Sequence, residues 1–348
     1  MEPLNDVFNK SEKLAPAVQL NKEKAMVVPG ATSVYGMRLY TMAELMSHEF
    51  PDTVWTVDSL VPEGITVLSA VPASFKTWLL LAIAISVASG NPLFNHFVTE
   101  QTGVLMIDEE NSARLLQQRL KMLGAANDLP VHFLVEQNFR LDDKQVTRVI
   151  KLCEDEGIGL ITFDSLVRIH GGNENDATQM AEVFGKIRRF TKAGITVLIT
   201  HHHRKTKTDN PAQDMRGSSD ILAAVDCHLA LTRYESNRLV LTQTKVRFAE
   251  EHEPVEIDIV STQNELGFRY MGTIKPSESK KAKTMAAISL LLEEREEMNQ
   301  KELITALEEA DCKVNAKTLR NILNDMVGRE LLNKLQGKGS ELRYRLNN

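Results

Sequence analysis

The chain has 348 residues, 43% hydrophobic and 25% charged, which suits a globular protein with room for two domains. Its net charge of −6 excludes a globally basic nucleic-acid binder, so any such contact must come from local basic patches. Cys153, Cys227 and Cys312 lie far apart without paired spacing, which argues against a disulfide framework or zinc knuckle and for a reducing, cytoplasmic setting. The first residues carry no apolar h-region, and the longest apolar run, Trp78–Gly90, is too short for a bilayer. Neither a signal peptide nor a membrane partner is expected.

Residues 1–36 mix charged residues with Pro and Asn and read as a flexible arm. From 37 to 274 the pattern alternates. Strand-like runs are expected at Ile65–Ala70, Gly103–Ile107, Val131–Leu134, Gly159–Phe163 and Thr196–Thr200, then at Cys227–Thr232, Arg238–Lys245 and Val255–Val260. Amphipathic helices are expected between the earlier ones, at Trp78–Ser89, Ser112–Leu123, Asp143–Glu156 and Thr178–Ala193. This alternation predicts an α/β fold with a mostly parallel sheet, and the closely spaced later strands predict a hairpin extension. Residues 275–283 turn to Lys, Ser and Pro and read as a linker to a compact segment over 284–348.

Parallel sheets place ligand sites at the carboxyl ends of their strands, so the residues that follow each strand carry the functional reading. After Ile65–Ala70 comes a short turn, Ala73, Ser74 and Phe75, and then Lys76-Thr77 at the head of an apolar helix. That order is a phosphate-binding loop: backbone N–H groups and a helix N-terminus face a polyphosphate, the lysine reaches the outer phosphates and the threonine holds Mg²⁺. Ala70 and Phe75 occupy the places of the two glycines of the G-x-x-x-x-G-K-[ST] pattern. Ala70 fits at little cost, whereas the Phe75 side chain must point away from the phosphates. After the second strand come Asp108-Glu109-Glu110-Asn111, after the fourth Asp164-Ser165, and after the fifth His201-His202-His203-Arg204-Lys205. An apolar strand ending in aspartate is a Walker B pattern, and a neighbouring glutamate can polarise water. Three consecutive histidines on a strand alternate faces and make a poor metal chelate, which favours nucleotide sensing by one or two of them. A solvated sheet edge, or a decayed loop that no longer hydrolyses nucleotide, is the bland alternative.

Here a resemblance becomes specific. The run Ser69-Ala-Val-Pro-Ala-Ser-Phe-Lys-Thr-Trp-Leu79 resembles the degenerate phosphate loop of RecA-like ATPases of the plasmid RepA helicase type, where a P-K-S-G/F-K-[ST]-W-L form occurs. Val104 to Leu120 resembles that family's second strand and the helix after it, with Glu110 at the catalytic position and Glu109 or Asp108 there if the register slips. Phe163 to Ala177 resembles its Walker B strand and Glu-Asn-Asp loop, His201-His202-x-Arg204-Lys205 its H-H-x-x-K motif, and Arg216 to Asp220 its R-G-S-S element. Lys245-Val-Arg247 resembles the K-x-R pair with which RecA-like and DnaB-like hexamers reach the γ-phosphate of a neighbouring subunit. The resemblance covers residues 50–262. It implies ATP and Mg²⁺ as cofactors, with Ala73 to Thr77 and Asp164 binding the nucleotide, Thr77 and Asp164 holding the metal, and Glu110, Lys245, Arg247 and His202 catalytic. It also implies a homo-oligomer, expected to be a hexamer, with single-stranded DNA in its channel. Arg204, Lys205 and Lys207 would then face DNA phosphates. A solvated loop is the alternative for them.

In the last segment, Thr284–Leu292 reads as a helix, Asn299 caps Gln300–Ala310 with Glu302 in a capping box, and Asn315 caps Ala316–Leu332. A Gly-rich hairpin follows from Leu335 to Arg345. Three helices and a basic hairpin resemble a winged helix-turn-helix, with Lys317 and Arg320 on the recognition helix and Lys338, Arg343 and Arg345 on the wing. Such a module binds duplex DNA or docks a protein. The leading expectation is a ring-forming, ATP-hydrolysing DNA motor, a replicative-type helicase of a plasmid or mobile element. The alternative is a DNA-binding regulator that uses ATP as an oligomerisation switch, and a strand-exchange recombinase ranks last because the arm shows no polymerisation motif.

Overall fold

The computed structural model describes residues 32–34, 37–71, 74–202, 219–310, 312–337 and 341–347. β1 (Thr32–Val34) and β2 (Met37–Leu39) pair as a hairpin, so the segment expected as an arm ends in a strand. Helix α1 (Met42–Ser47) follows, closed by a capping box between Thr41 and Glu44, and then a second hairpin, β3 (Trp55–Val57) and β4 (Val61–Pro62).

The core then alternates: β5 (Ile65–Ala70), α2 (Lys76–Ser89), β6 (Gly103–Asp108), α3 (Ala113–Met122), β7 (Val131–Val135), α4 (Asp143–Glu156) and β8 (Ile158–Asp164). It continues with α5 (Leu166–Ile169), α6 (Ala177–Lys192), β9 (Thr196–His202), α7 (Ser219–Ala224), β10 (Cys227–Glu235), β11 (Arg238–Val246), β12 (Val255–Ser261) and β13 (Leu266–Thr273). The nine-stranded sheet has the order β13-β12-β11-β10-β5-β9-β8-β6-β7. From β10 to β7 every pairing is parallel, and β11, β12 and β13 add antiparallel strands at the far edge.

Every residue of β5 is buried, as both-sided cover demands of a central parallel strand. Its side chains alternate between two cores. Leu68 and Ala70 pack with Leu79, Leu80 and Ile83 of α2, whereas Ile65 and Val67 share the opposite core with Met180, Phe184 and Ile187 of α6. Gly103 opens β6 where a Cβ would meet the Gly157 carbonyl oxygen at 2.8 Å, so only glycine lets β6 lie against the start of β8. Helix α4 starts where Asp142 accepts the Gln145 N–H and ends at Gly157 in the left-handed region, matching the limits its periodicity predicts.

The last segment comprises α8 (Pro276–Arg295), β14 (Glu297–Asn299), α9 (Gln300–Glu309), α10 (Ala316–Gly328), β15 (Leu332–Gln336) and β16 (Leu342–Leu346), with the small sheet ordered β14-β16-β15. Most of the stretch read as a linker over 275–283 is helical: from Pro276 on it forms the start of α8, and Pro276 stands in the first turn, where its missing N–H loses no helix hydrogen bond. Ala282, Met285, Ile288 and Leu292 of α8 enter a core with Leu303, Leu307, Leu319, Leu323 and Tyr344. Tyr234 of β10 and Val240 of β11 belong to the same core, which fastens the module to the main sheet. Among the described residues no helix is long and apolar enough to cross a membrane.

Candidate active site

The tips of β5, β6, β8 and β9 meet at one edge because these strands run parallel. Phe75 is the N-cap of α2, with φ 63° and no side-chain cap. The left-handed conformation explains why glycine is usual at this place, since a bulky residue there is strained. Its ring turns from the helix end into the core beside α2 and lies 5.0 Å from the Arg233 guanidinium carbon. Among the described residues no side chain caps this end, so the first N–H groups of α2 can face an anion. Ser74 is buried and donates to the Val71 carbonyl at 2.5 Å, bracing the turn. Ala73 lies outside the described residues.

Lys76 is buried, 7% exposed, and its Nζ donates to His202 Nδ1 at 3.2 Å and to the His201 carbonyl at 3.5 Å. Burial holds its pKa below the ordinary lysine value, although Asp164 and Glu110 pull the other way. Two carboxylates therefore do not fully compensate the buried ammonium, and an added anion such as a phosphate would. Thr77 Oγ1 donates to Asp164 Oδ2 at 2.7 Å, and Thr200 Oγ1 donates to Asp164 Oδ1 at 2.5 Å. Asp164 is fully buried at the β8 tip, and the Asp164–Ser165 peptide is cis.

The three acidic residues at the end of β6 separate cleanly. Asp108 Oδ1 accepts the N–H groups of Glu110 and Asn111 at 2.9 and 2.7 Å, which closes its own turn. Glu109 accepts three backbone N–H groups, of Gln137, Asn138 and Phe139, at 3.1, 3.1 and 2.9 Å, and so fixes the loop after β7. Glu110 alone faces the Lys76 side: its Oε1 accepts from Ser165 Oγ at 2.5 Å and from His202 Nε2 at 3.3 Å. The His202 bond is the largest cause that holds the Glu110 carboxyl down, at about 2. Asp108 is pushed the other way, up to about 6, by burial first and by Asp164 second. Asn111 Nδ2 bridges the two aspartates, 2.9 Å from Asp108 Oδ2 and 3.4 Å from Asp164 Oδ2, and its Oδ1 accepts from Arg119 at 3.1 Å. Arg119 in turn lies 5.3 Å above the Trp78 ring.

Lys245 and Arg247 are not brought to this cluster. Lys245 Nζ donates to the Leu222 and Ala223 carbonyls at 2.6 and 3.4 Å, and Arg247 donates to the Ala223 carbonyl at 2.6 Å and pairs with Asp226 at 3.6 Å. Both complement the carbonyl end of α7. Strand register sets their level: Lys245 pairs with His228, which pairs with Val67, and the Arg247 N–H bonds the Asp226 carbonyl beside Ile65. Ile65 is five residues before Ala70, about 16 Å along a strand. The pair therefore sits toward the strand bases, away from the phosphate loop of its own chain. His201 faces Glu174, its Nδ1 3.6 Å from Glu174 Oε1.

Arg204, Lys205, Lys207 and Lys338 lie outside the described residues. Lys317 and Arg320 are exposed on α10. Arg343, expected on a wing, meets three carboxylates of its own module. Glu297, Glu302 and Glu341 surround it at 3.1, 3.3 and 3.7 Å, so its charge is used inside the module. Sequence reasoning gave no role to Asn111, Thr200, Ser165 or Arg233. The signal for Asn111 was its place three residues after a strand-ending aspartate, where an Asx turn forms. Thr200 carried the signal of a hydroxyl ending a strand beside the Walker B strand.

The oxygen set at Thr77 and Asp164 suits a hard cation such as Mg²⁺, which typically needs only one or two protein carboxylates beside substrate phosphates. Asp164 also raises Asp108, second to burial, and a cation between the two carboxylates would oppose that effect. Among the described residues no group of three or more His, Cys, Asp or Glu is placed to hold a metal by itself. The largely parallel sheet with helices on both faces fits a P-loop NTPase core. Comparison with curated proteins finds no match. Residues 36–208, 173 of the 348 residues and so just under half of the chain, match the family model described as an AAA domain, a similarity to P-loop ATPases that implies nucleotide binding and usually Mg²⁺.

Proposed function

We propose that the chain is a ring-forming DNA motor driven by ATP hydrolysis, a replicative-type helicase of a plasmid or mobile element. The observation that carries this reading is the division of labour between the two ends of the sheet. Lys76, Thr77, Glu110, Asp164 and His202 converge at the strand tips, whereas Lys245 and Arg247 lie near the strand bases. A K-x-R pair remote from its own phosphate loop makes sense where subunits meet and it completes the site of the next one.

In this mechanism the N-terminal N–H groups of α2 and the Lys76 ammonium bind the outer phosphates. Thr77 and Asp164 would hold Mg²⁺, which when bound neutralises developing charge on the phosphates. Glu110 orients the attacking water. With its carboxyl held near 2 it stays ionised and acts as an acceptor, not as a strong base. His202 bridges Lys76 and Glu110, so a change at the γ-phosphate would shift both of its hydrogen bonds. Lys245 and Arg247 would act across the interface on the same charge. Single-stranded DNA would pass the ring's channel, tracked by Arg204, Lys205 and Lys207. The C-terminal module, read as a winged helix, would present Lys317 and Arg320 to duplex DNA.

Steady-state ATP turnover of wild type and Glu110→Gln tests the assignment. Turnover should fall by about 10²-fold or more while nucleotide still binds. Equal rates would remove Glu110 from the mechanism. The second reading, a DNA-binding regulator with ATP as an oligomerisation switch, uses the same nucleotide site and the same exposed Lys317 and Arg320. Strand displacement on a forked duplex separates the two. Nucleotide-dependent DNA binding without displacement selects the switch.

A further inference from the structure

We propose that Arg233 is a positioning residue for the phosphate loop, clamping Phe75 in its left-handed conformation and tying that clamp to the C-terminal module. The inference rests on the nucleotide reading of the loop given above.

Phe75 occupies a backbone state that glycine takes freely and an aromatic residue does not, at a cost on the order of 1 kcal/mol or more. Something must over-determine that state, and the contacts around the ring show what does. The Phe75 ring packs against the core beside α2 on one side and lies under Arg233 at 5.0 Å on the other. Arg233 is itself fixed, since Nε donates to the Glu235 carbonyl at 3.3 Å and NH2 to the Ser236 carbonyl at 2.7 Å. Its fork is thus locked by the turn between β10 and β11 before it meets the ring.

The same strand end reaches the C-terminal module. Along β10, Leu229 and Leu231 face the α2 side of the sheet, and Arg233 continues that face toward Phe75. A bulge then breaks the register between Arg233 and Glu235. Bulges re-aim side chains, and here both following residues turn to the module. Tyr234 is buried in the core formed with Ala282, Ile288 and Leu323, its hydroxyl donating to Glu256. Glu235 accepts from Arg329, just after α10, at 2.6 Å, and Arg329 is held by Asp325 at 2.9 Å. Three consecutive residues therefore join the phosphate loop, the module's core and the end of the helix that carries Lys317 and Arg320. A shift of α10 would move Glu235, then the Arg233 fork, and would loosen the turn that presents the α2 N-terminus.

Titration of the full chain with a fluorescent ATP analogue and Mg²⁺ tests the clamp. Arg233→Gln should weaken binding roughly fivefold or more, and Arg329→Gln should weaken it in the same direction by less. The decisive arm is rescue. Glycine needs no clamp, so Phe75→Gly should rescue the Arg233→Gln loss: measured against Phe75→Gly alone, the double variant should lose less than about twofold in affinity. Such non-additivity is the signature of a shared element, which a general loss of stability would not produce. Wild-type affinity in Arg233→Gln, or additive losses in the double variant, would overturn the proposal and leave the nucleotide site standing. Absence of analogue binding by the wild type would instead remove the nucleotide reading on which it depends.

Discussion

Lys76 in the α/β core and Arg343 in the C-terminal module are both enclosed cations, yet their surroundings differ in kind. Around Arg343 three carboxylates lie within 3.7 Å, and the guanidinium also donates to the Glu297 carbonyl at 3.2 Å. Its charge is met by carboxylates of its own chain. Lys76 is more deeply buried and has as its hydrogen-bond partners a histidine nitrogen and a carbonyl, with the nearest carboxylates spoken for by Thr77, Thr200 and Ser165. The difference is the one expected between a cation that holds a fold and, on the proposed function, one that meets a ligand. A buried charge without a close counter-ion costs stability, and such a cost is typical of sites that bind. Lys245 and Arg247 form an intermediate case, cations resting on helix carbonyls with 45% of the Arg247 side chain exposed.

The largest expected effect falls on that intermediate pair. Arg247→Ala should reduce ATP turnover by on the order of 10³-fold, the range of a charge that meets the transition state from a neighbour. Loss of a helix-end contact alone would give a change of about 1 kcal/mol in stability with turnover nearly intact. Mixing decides between them. Glu110→Gln and Arg247→Ala chains, each inactive alone, should recover a measurable fraction of turnover when combined, because some interfaces then join an intact Glu110 to an intact Arg247. No recovery at any ratio would place Arg247 in the site of its own chain, against the strand register.

A smaller effect follows from the two carboxyls at the tips. Asp108 in the fold is raised to about 6 from an ordinary 3.8, so between these values the folded chain keeps a proton that the unfolded chain has released. Stability without nucleotide should therefore rise as pH falls from about 6 toward 4, by at most about 2–3 kcal/mol. Glu110 runs oppositely. Held at about 2 against an ordinary 4.5, it contributes stability that is complete above 4.5 and lost as pH falls toward 2. Urea unfolding across this range should show the rise in wild type and its flattening in Asp108→Asn. An unchanged slope in the variant would mean that the proton taken up in this range binds elsewhere. Addition of Mg²⁺ and nucleotide should flatten the wild-type slope as well, since a cation beside Asp108 favours its ionised form.

Much of this arrangement was legible in the sequence, for definite reasons. β5 and α4 have the limits their patterns predict, because one is buried on both faces and the other is bounded by Asp142 and Gly157. The strand-tip residues could be named because parallel strands must end at one edge. Their division of labour came only from the resemblance, with the register of Asp108, Glu109 and Glu110 left open. Asp108, Glu109 and Glu110 are equivalent as letters, and only the amide groups of Gln137, Asn138 and Phe139, some thirty positions on, withdraw Glu109 from the site. β13 went unseen because Gly267 and Gly272 interrupt its alternation, which an edge strand tolerates. The start of α8 was hidden by its polar composition: Lys281 pairs with Asp325 at 3.0 Å, a partner far along the chain. Phe75 posed the question of where its ring goes, and the answer depends on Arg233, more than 150 positions away.

The smallest expected effect concerns Arg343 itself. Were it a wing contact, Arg343→Ala would lower the salt dependence of DNA binding by about one phosphate's worth, as would Lys317→Ala or Arg320→Ala. Since its charge is already met by Glu297, Glu302 and Glu341, the expected outcome is an unchanged salt slope and a loss of about 1 kcal/mol in stability, the ordinary scale of partly exposed ion pairs. The exposed Lys317 and Arg320 should behave in reverse, with a shallower slope and no stability change. Fluorescence anisotropy against a labelled duplex at several salt concentrations, paired with urea unfolding, reads both quantities on the same proteins. A slope change in Arg343→Ala equal to that of Lys317→Ala would show that DNA phosphates outcompete three carboxylates for this guanidinium. Arg343 would then resemble Lys76, a cation kept for its ligand, and the hairpin would rejoin the DNA-facing surface.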